Sequence, residues 1–275
     1  MSADPEAAAA SFAASFTATL VVKAAAPYAR AGRFAFHFAR GKLAGDSLFA
    51  TLLRTGAIPD AACLVDLGCG QGLLAAWLQA AREAATGDGA AWPAGWPAPP
   101  RVSTYLGIDR SRADVARARR ALPSFARVFR GDLRSLAGSL HDRVLDRCDV
   151  ATLLDVLQYL DPAAQERLLV AIHAGLPPWG VLVLRVGDGA SGRASLRANA
   201  VDLLVSALRG HPHRKLHRRP LAEWVALLER LGFAVEVLDD DRGTTGGFAN
   251  VLLRASRSES VRQSNSPSGA AAPLR

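Results

Sequence analysis

Lysine is nearly missing from this chain. Of its 33 basic residues in 275, only Lys23, Lys42 and Lys215 are lysines; the rest are arginine. The net charge of +8 and the pI near 10.2 would by themselves point to an anionic partner. Arginine in place of lysine, together with the abundance of alanine, is what a GC-rich genome produces, so the charge is read as mainly compositional and weighs little toward a nucleic-acid role. Cysteine is also scarce: Cys63, Cys69 and Cys148 are odd in number and form no C-x-x-C pair. That argues against a disulfide framework or a zinc site and fits a reducing compartment. Long apolar runs are missing too. The charge-free stretches Ala7–Val22 and Leu67–Ala81 both fall short of the roughly 20 residues that span a bilayer. The N-terminus carries Asp4 and Glu6 where a secretory signal has positive charge, so the chain reads as cytoplasmic with a frayed alanine-rich start. No internal repeat is visible, and 50% apolar with 21% charged residues is a globular composition.

What remains is a lead-in followed by an alternating pattern. Residues 1–20 are weakly amphipathic and expected to be mobile. Between Tyr28 and Arg54 apolar residues recur at helical spacing, and Gly41 and Gly45 divide them into two short helices. Short apolar strands then alternate with helical segments. The strands are Cys63–Leu67, Val102–Ile108, Phe125–Phe129, Val150–Leu154 and Val181–Val186. The helices are Leu73–Ala85, Ser111–Ala121 with Ser111 as N-cap, Pro162–Ala174 opened by Asp161, and Leu221–Leu231. Such alternation makes a parallel sheet with helices on both faces. The last pair, Phe233–Leu238 and Phe248–Arg254, is joined too tightly for a crossover and must run antiparallel. The expected fold is α/β: a seven-stranded, mostly parallel sheet with one antiparallel strand and an N-terminal helical lid. The lid occupies 1–60 and the main domain 61–255. Insertions fall at 87–100 and 187–220, and 256–275 is a disordered Ser/Pro/Ala tail.

The most specific motif is Asp66-Leu67-Gly68-Cys69-Gly70-Gln71-Gly72. A buried strand ends in an acid, turns through three glycines and enters a helix. Glycine lets the backbone approach a ligand, and the helix start offers free N–H groups. The spacing departs from the dinucleotide fingerprint G-x-G-x-x-G. It resembles motif I of the class I S-adenosylmethionine (SAM)-dependent methyltransferases, D/E-x-G-x-G-x-G, matched at all four positions over a likeness running from Ala61 to Arg254.

That resemblance implies SAM as cofactor and a set of further residues. Asp109 ends the second strand, where an acid accepts the ribose hydroxyls. It lies 37 residues after Gly72, or 23 once the 14-residue insertion at 87–100 is set aside, close to the roughly 20 expected. Asp132 and Leu133 follow the third strand where the family holds adenine; Asp132 could equally cap the next helix. After the fourth strand, Asp155-Val156-Leu157-Gln158-Tyr159-Leu160 looks like the D/N-V-L-H-x-L segment of small-molecule methyltransferases. Gln158 replaces the histidine there and cannot act as a base. The resemblance puts Asp155, Gln158 and Tyr159 beside the acceptor. The implied acceptor is a small organic molecule, aromatic, quinone-like or of the polyketide and aryl-polyene type, free or bound to a carrier protein. RNA methylation and nicotinamide-dependent oxidoreduction are the alternatives; a missing Tyr-x-x-x-Lys pair counts against the second. His37, among Phe34, Phe36 and Phe38, reads as a packed histidine. His211, His213 and His217 interleave with Arg214, Lys215, Arg218 and Arg219 in a spacing that lacks the Cys or acid partners of a zinc site. A solvated basic segment is one reading; docking of an anionic substrate or acidic carrier protein is the other.

Overall fold

The structure, a computed structural model, describes residues 5–87, 92–136, 144–188, 216–240 and 250–257. Seven strands form one sheet: β1 (Ala61–Leu67), β2 (Val102–Asp109), β3 (Ala126–Arg130), β4 (Val150–Leu154), β5 (Val181–Gly187), β6 (Phe233–Asp240) and β7 (Asn250–Arg257). Their order is β3-β2-β1-β4-β5-β7-β6. The first five pair parallel, and β7 runs antiparallel to both β5 and β6. The expected mixed sheet is therefore present. The order reverses between β1 and β4, which places a crevice outside the carboxyl ends of these strands.

Side chains along β1 alternate between two cores, as the two-residue period of a strand requires. Leu64 faces one, with α4 (Leu73–Thr86), α5 (Arg112–Ala121) and the N-terminal helices. Cys63, Val65 and Leu67 face the other, with α7 (Pro162–Gly175) and α8 (Leu221–Arg230). A single turn, α6 (Leu133–Leu136), follows β3. Capping follows the sequence: Ser111 Oγ accepts from the N–H of Asp114 and opens α5, and Asp161 accepts from Ala164 and opens α7 before Pro162.

The N-terminal region departs from expectation. In place of a mobile start there is α1 (Pro5–Ala25), 21 residues long. Alanine has the highest helix propensity, and the second half of α1 buries Leu20, Val21, Ala24 and Ala25 in the first core. Among the described residues, Glu6–Ala31 is the one helical stretch long and apolar enough, by length and composition, to cross a membrane. α2 (Arg33–Gly45) passes through Gly41 without breaking. A helical glycine costs about 1 kcal/mol, which burial of Ala35, Ala39 and Leu43 offsets. α3 (Leu48–Arg54) is fastened to α4 by Trp77, whose Nε1 donates to the Phe49 carbonyl at 2.7 Å. The described part of the 87–100 insertion packs on α1, with Trp92 and Trp96 edge-on to Phe16.

Cys63 and Cys148 form a disulfide, contrary to the expectation from cysteine number. β4 lies beside β1, and the backbone there brings the two Cα atoms to 4.4 Å, within bonding range. The expected tail begins inside β7 at Ser256 and Arg257; residues 258–275 lie outside the described residues.

Candidate active site

The glycine loop fills the turn between β1 and α4. Gly68, Gly70 and Gly72 all have positive φ, at 86°, 55° and 73°. A Cβ on Gly68 would sit 2.1 Å from Val156 Cγ2, and one on Gly72 would sit 2.5 Å from Leu122 Cδ1. These two glycines let the loop pack against the protein. Gly70 differs: a Cβ there would meet nothing within 4 Å, so this glycine faces open space. Gln71 beside it is 2% exposed, and its Oε1 has no hydrogen-bond partner among the described residues. A buried acceptor left in this state costs about 1–3 kcal/mol, and a ligand bringing a donor would satisfy it. The open cradle and the orphaned acceptor fit a bound cofactor such as SAM.

Asp66 stands behind the loop. It is 4% exposed, its Oδ2 accepts from the Tyr105 hydroxyl and its Oδ1 from Thr152 Oγ1 at 2.7 Å. Burial pushes its carboxyl up to about 6 against those two hydrogen bonds, with the Asp109 charge adding to the rise. Both oxygens are thus taken by neighbouring strands. The Cys69 thiol is also held well above its ordinary range, chiefly by burial.

Asp109 Oδ2 accepts from the Gly70 N–H at 2.9 Å and its Oδ1 from the Ser111 N–H at 2.7 Å. It ties the glycine loop to the start of α5. A cleft of about 690 Å³ opens beside it, lined by Arg110, Ser111, Arg112, Arg130 and Asp132 among others, within the range of small-molecule sites. Asp132 Oδ1 accepts from the Arg134 N–H at 3.0 Å. Asp132 therefore caps α6 while it lines the cleft. The Leu133 side chain is buried in the second core.

Beyond β4 lies an ionic network. Asp155 is the one described non-glycine residue with positive φ, at 60°, a left-handed conformation that aspartate tolerates better than most. Its Oδ1 accepts from Arg185 Nε at 2.7 Å and its Oδ2 from Arg185 Nη2. The other edge of the same guanidinium grips Asp46, in the α2–α3 turn, through Nη1 and through Nη2 at 2.8 Å. Lys42 Nζ lies 2.6 Å from Asp46 and 3.7 Å from Asp155. Burial would raise the Asp46 carboxyl, but hydrogen bonds and charge from Arg185, with Lys42, hold it well below the usual carboxylate range. The α2–α3 turn is thereby tied to the carboxyl ends of β4 and β5.

Gln158 and Tyr159 sit on a 3₁₀ turn, Leu157–Tyr159. The Gln158 carbonyl accepts from the His217 N–H at 2.9 Å, and the Tyr159 carbonyl accepts from Arg134 Nη2 at 2.8 Å. Around them the end of the basic segment is bound into the fold and not solvated. Gln165 Nε2 donates to the His217 carbonyl, and Arg219 donates to Gln165 and Glu166. His211 and His213 lie outside the described residues. His37 is exposed, edge-on to Phe36 at 5.3 Å, and not packed as expected.

The structure thus brings Asp66, Gly68, Gly70, Gly72, Asp109 and Asp132 to the ends of β1–β3, and Asp155 to the end of β4. Sequence reasoning missed Asp46, Lys42, Gln71 and Arg185. Arg185 left one sign, a charge inside the apolar run Val181–Val186.

A family profile described as a methyltransferase domain matches residues 36–238. The chain is 31% identical over 147 residues to a carboxy-S-adenosyl-L-methionine synthase of Geobacter metallireducens, covering 48% of this chain and 59% of that protein. It thus spans little more than half the length of this relative. Among solved structures, an O-methyltransferase family protein from Burkholderia thailandensis superposes with a TM-score of 0.52 at 20% identity, covering 82% of this chain and 59% of the other. The pyocyanin biosynthetic protein PhzM superposes with the same score and identity, covering 84% and 60%. At these identities the structural likeness concerns the fold.

Proposed function

The chain belongs to the methyltransferase-domain family, and from that premise we propose that it transfers a methyl group from SAM to a small organic acceptor of aromatic, quinone-like or polyketide character. The observation that carries this reading is the glycine loop at the sheet's switch point. Gly70 faces open space, Gln71 holds an unpartnered buried acceptor, and the Asp109 carboxylate stands beside them. When bound, SAM supplies a methyl group on an already activated sulfonium, so the protein's task is to align the partners and exclude water.

Asp109 is assigned to the ribose hydroxyls, and Asp132 with Leu133 to the adenine edge; the adjoining cleft supports both assignments. Asp66 is assigned no ligand contact. It stiffens the loop from within, through Tyr105 and Thr152. Asp155 is assigned to shaping the acceptor wall and not to moving a proton, because Arg185 occupies both of its oxygens. Gln158 and Tyr159 are assigned to orienting the acceptor by hydrogen bonds. An acceptor that ionises easily, such as a phenol or an activated carbon acid, suits a site with no free base assigned among the described residues.

The test is incubation of the purified protein with SAM and a panel of phenols, catechols, hydroquinones and 1,3-dicarbonyl compounds, read by mass spectrometry. Appearance of a methylated acceptor together with S-adenosylhomocysteine supports the reading. Methyl incorporation into RNA alone, or a carboxylated SAM product of the kind named for the Geobacter relative, would overturn it.

A further inference from the structure

From Arg110 to Arg134 the sequence places eight arginines against two aspartates, a surplus of six in a chain whose whole net charge is +8. The stretch comprises α5, β3 and their flanks, at the open edge of the sheet. Five of these arginines have partners: Arg119 Nε donates to the Val128 carbonyl, Arg130 Nε to the Arg110 carbonyl, and three more are held as follows. Arg117 pairs with Asp114 and lies over the Phe34 ring, Arg134 holds Asp132 and the Tyr159 carbonyl, and Arg110 is drawn into contacts of its own. Arg112, Arg119, Arg120, Arg127 and Arg130 are exposed, and none has a carboxylate partner among the described residues.

Composition accounts for the number of arginines and not for their arrangement. On α5 the exposed residues Arg112, Ala113, Ala116, Arg119 and Arg120 recur at i, i+1, i+4, i+7 and i+8, so they share one helical face. Arg119 Nε donates to the Val128 carbonyl at 2.7 Å, which joins α5 to the edge strand β3; by the two-residue period of a strand, Arg130 lies with Val128 on the α5 side and Arg127 on the other. The result is a ridge with guanidinium groups at its two ends, about 10.5 Å or two helical turns apart, and alanine between them.

We infer that this α5–β3 face docks an acidic α-helix of a partner protein. Carboxylates two turns apart on a helix match the separation of Arg112 from Arg119, and each guanidinium fork can take a carboxylate bidentately. Ala113 and Ala116 leave room for a second helix to lie close. Each segment of this chain outside the described residues carries only one acid, so none of them supplies the complement. A second copy, with the same positive surplus, is repelled. Phosphodiester chains match the charge but make no use of the alanine floor between the guanidinium groups. Arg112, Ala113 and Arg130 also line the cleft beside Asp109, so a docked helix borders the site given above to the cofactor, but the inference does not require methyl transfer.

The test is fluorescence anisotropy of the full chain with three labelled probes: a stapled helical peptide bearing glutamates at i, i+4 and i+7, its proline-interrupted isomer, and an oligouridylate of equal charge. The helical peptide is expected to bind most tightly. R112E/R119E/R120E should weaken it at least tenfold, its lysine counterpart should bind more weakly than the parent but more tightly than the charge reversal because an ammonium cannot take a carboxylate bidentately, and R230E, a charge reversal at an exposed position of α8, should leave it unchanged. Thermal melts establish that each variant folds; should the triple variant fail to fold, R120E alone takes its place. Tighter binding of the oligouridylate, equal binding of the interrupted peptide, dimerisation through this face by sedimentation, or an unmoved affinity in the charge-reversed variant would each overturn the inference.

Discussion

Replacing Arg185 by methionine should release the α2–α3 turn from the sheet. The guanidinium is 6% exposed and satisfies Asp46, 11% exposed, and Asp155, 28% exposed, through four hydrogen bonds. Methionine keeps most of the volume but strands two carboxylates with only Lys42 beside them. Breaking a buried ion pair from one side costs about 3–5 kcal/mol. Lys42 and the partial exposure of Asp155 put this case at the lower end, about 3 kcal/mol. For a chain of this size that lowers the melting temperature by roughly 6–12 °C. The pH dependence has a definite sign. In the native protein the Asp46 carboxyl is held below its ordinary range, so its contribution is present above the unfolded value and is lost as pH falls through the ordinary carboxylate range and below. In Arg185→Met that depression is gone, and the stranded, buried Asp46 carboxylate takes up a proton more readily. The variant should therefore regain part of its deficit between pH 7 and pH 5. Thermal melts from pH 4 to 8, with hydrogen exchange over residues 33–54, measure both effects. The double variant Asp46→Asn/Arg185→Met should cost less than the two single changes added together. A melting point within about 1 °C of the parent at every pH, or additive costs in the cycle, would refute the reasoning.

Asp66→Asn should flatten a different pH step: a carboxyl raised to about 6 gives stability that is full below the unfolded value and lost as pH rises through 6, worth roughly 3 kcal/mol, and melts across pH 4–7.5 would reveal it. Gly68→Ala should cripple folding by clash with Val156, whereas Gly70→Ala should fold at a cost of about 1–2 kcal/mol in the left-handed conformation yet lose SAM affinity, as calorimetry and melting would separate. Asp109→Ala should weaken SAM binding by about 1.5–3 kcal/mol, roughly 10- to 150-fold, with the fold retained; unchanged affinity would remove Asp109 from the cofactor site. Asp161→Ala should lower the melting temperature slightly by uncapping α7, with SAM affinity unaffected.

Strands and helices whose pattern is local were legible in the sequence. Val150–Leu154 is a strand with the bounds its apolar run suggests, Ser111 and Asp161 cap as their types dictate, and the short β6–β7 connection forces the reversed strand. The glycine loop was legible because its chemistry lies in consecutive residues. What was not legible depends on contacts far apart in the chain. α1 is ordered by burial against α4 and the 87–100 insertion, not by amphipathic spacing of its own. Cys63 and Cys148 meet only because β4 pairs beside β1 across 85 residues. Asp46 and Arg185 are 139 residues apart, and no local pattern links them. Asp155 gave no sign of its left-handed backbone, which follows from the turn that presents its carboxylate to Arg185.

The account stands most directly on which ligand the loop between β1 and α4 receives. Titration calorimetry of the purified chain with SAM, S-adenosylhomocysteine and NAD tests it in one experiment. Saturable one-site binding of the first two, lost in Gly70→Ala, with no heat from NAD, is the predicted result. Saturable binding of NAD with no response to SAM or its demethylated product would contradict it.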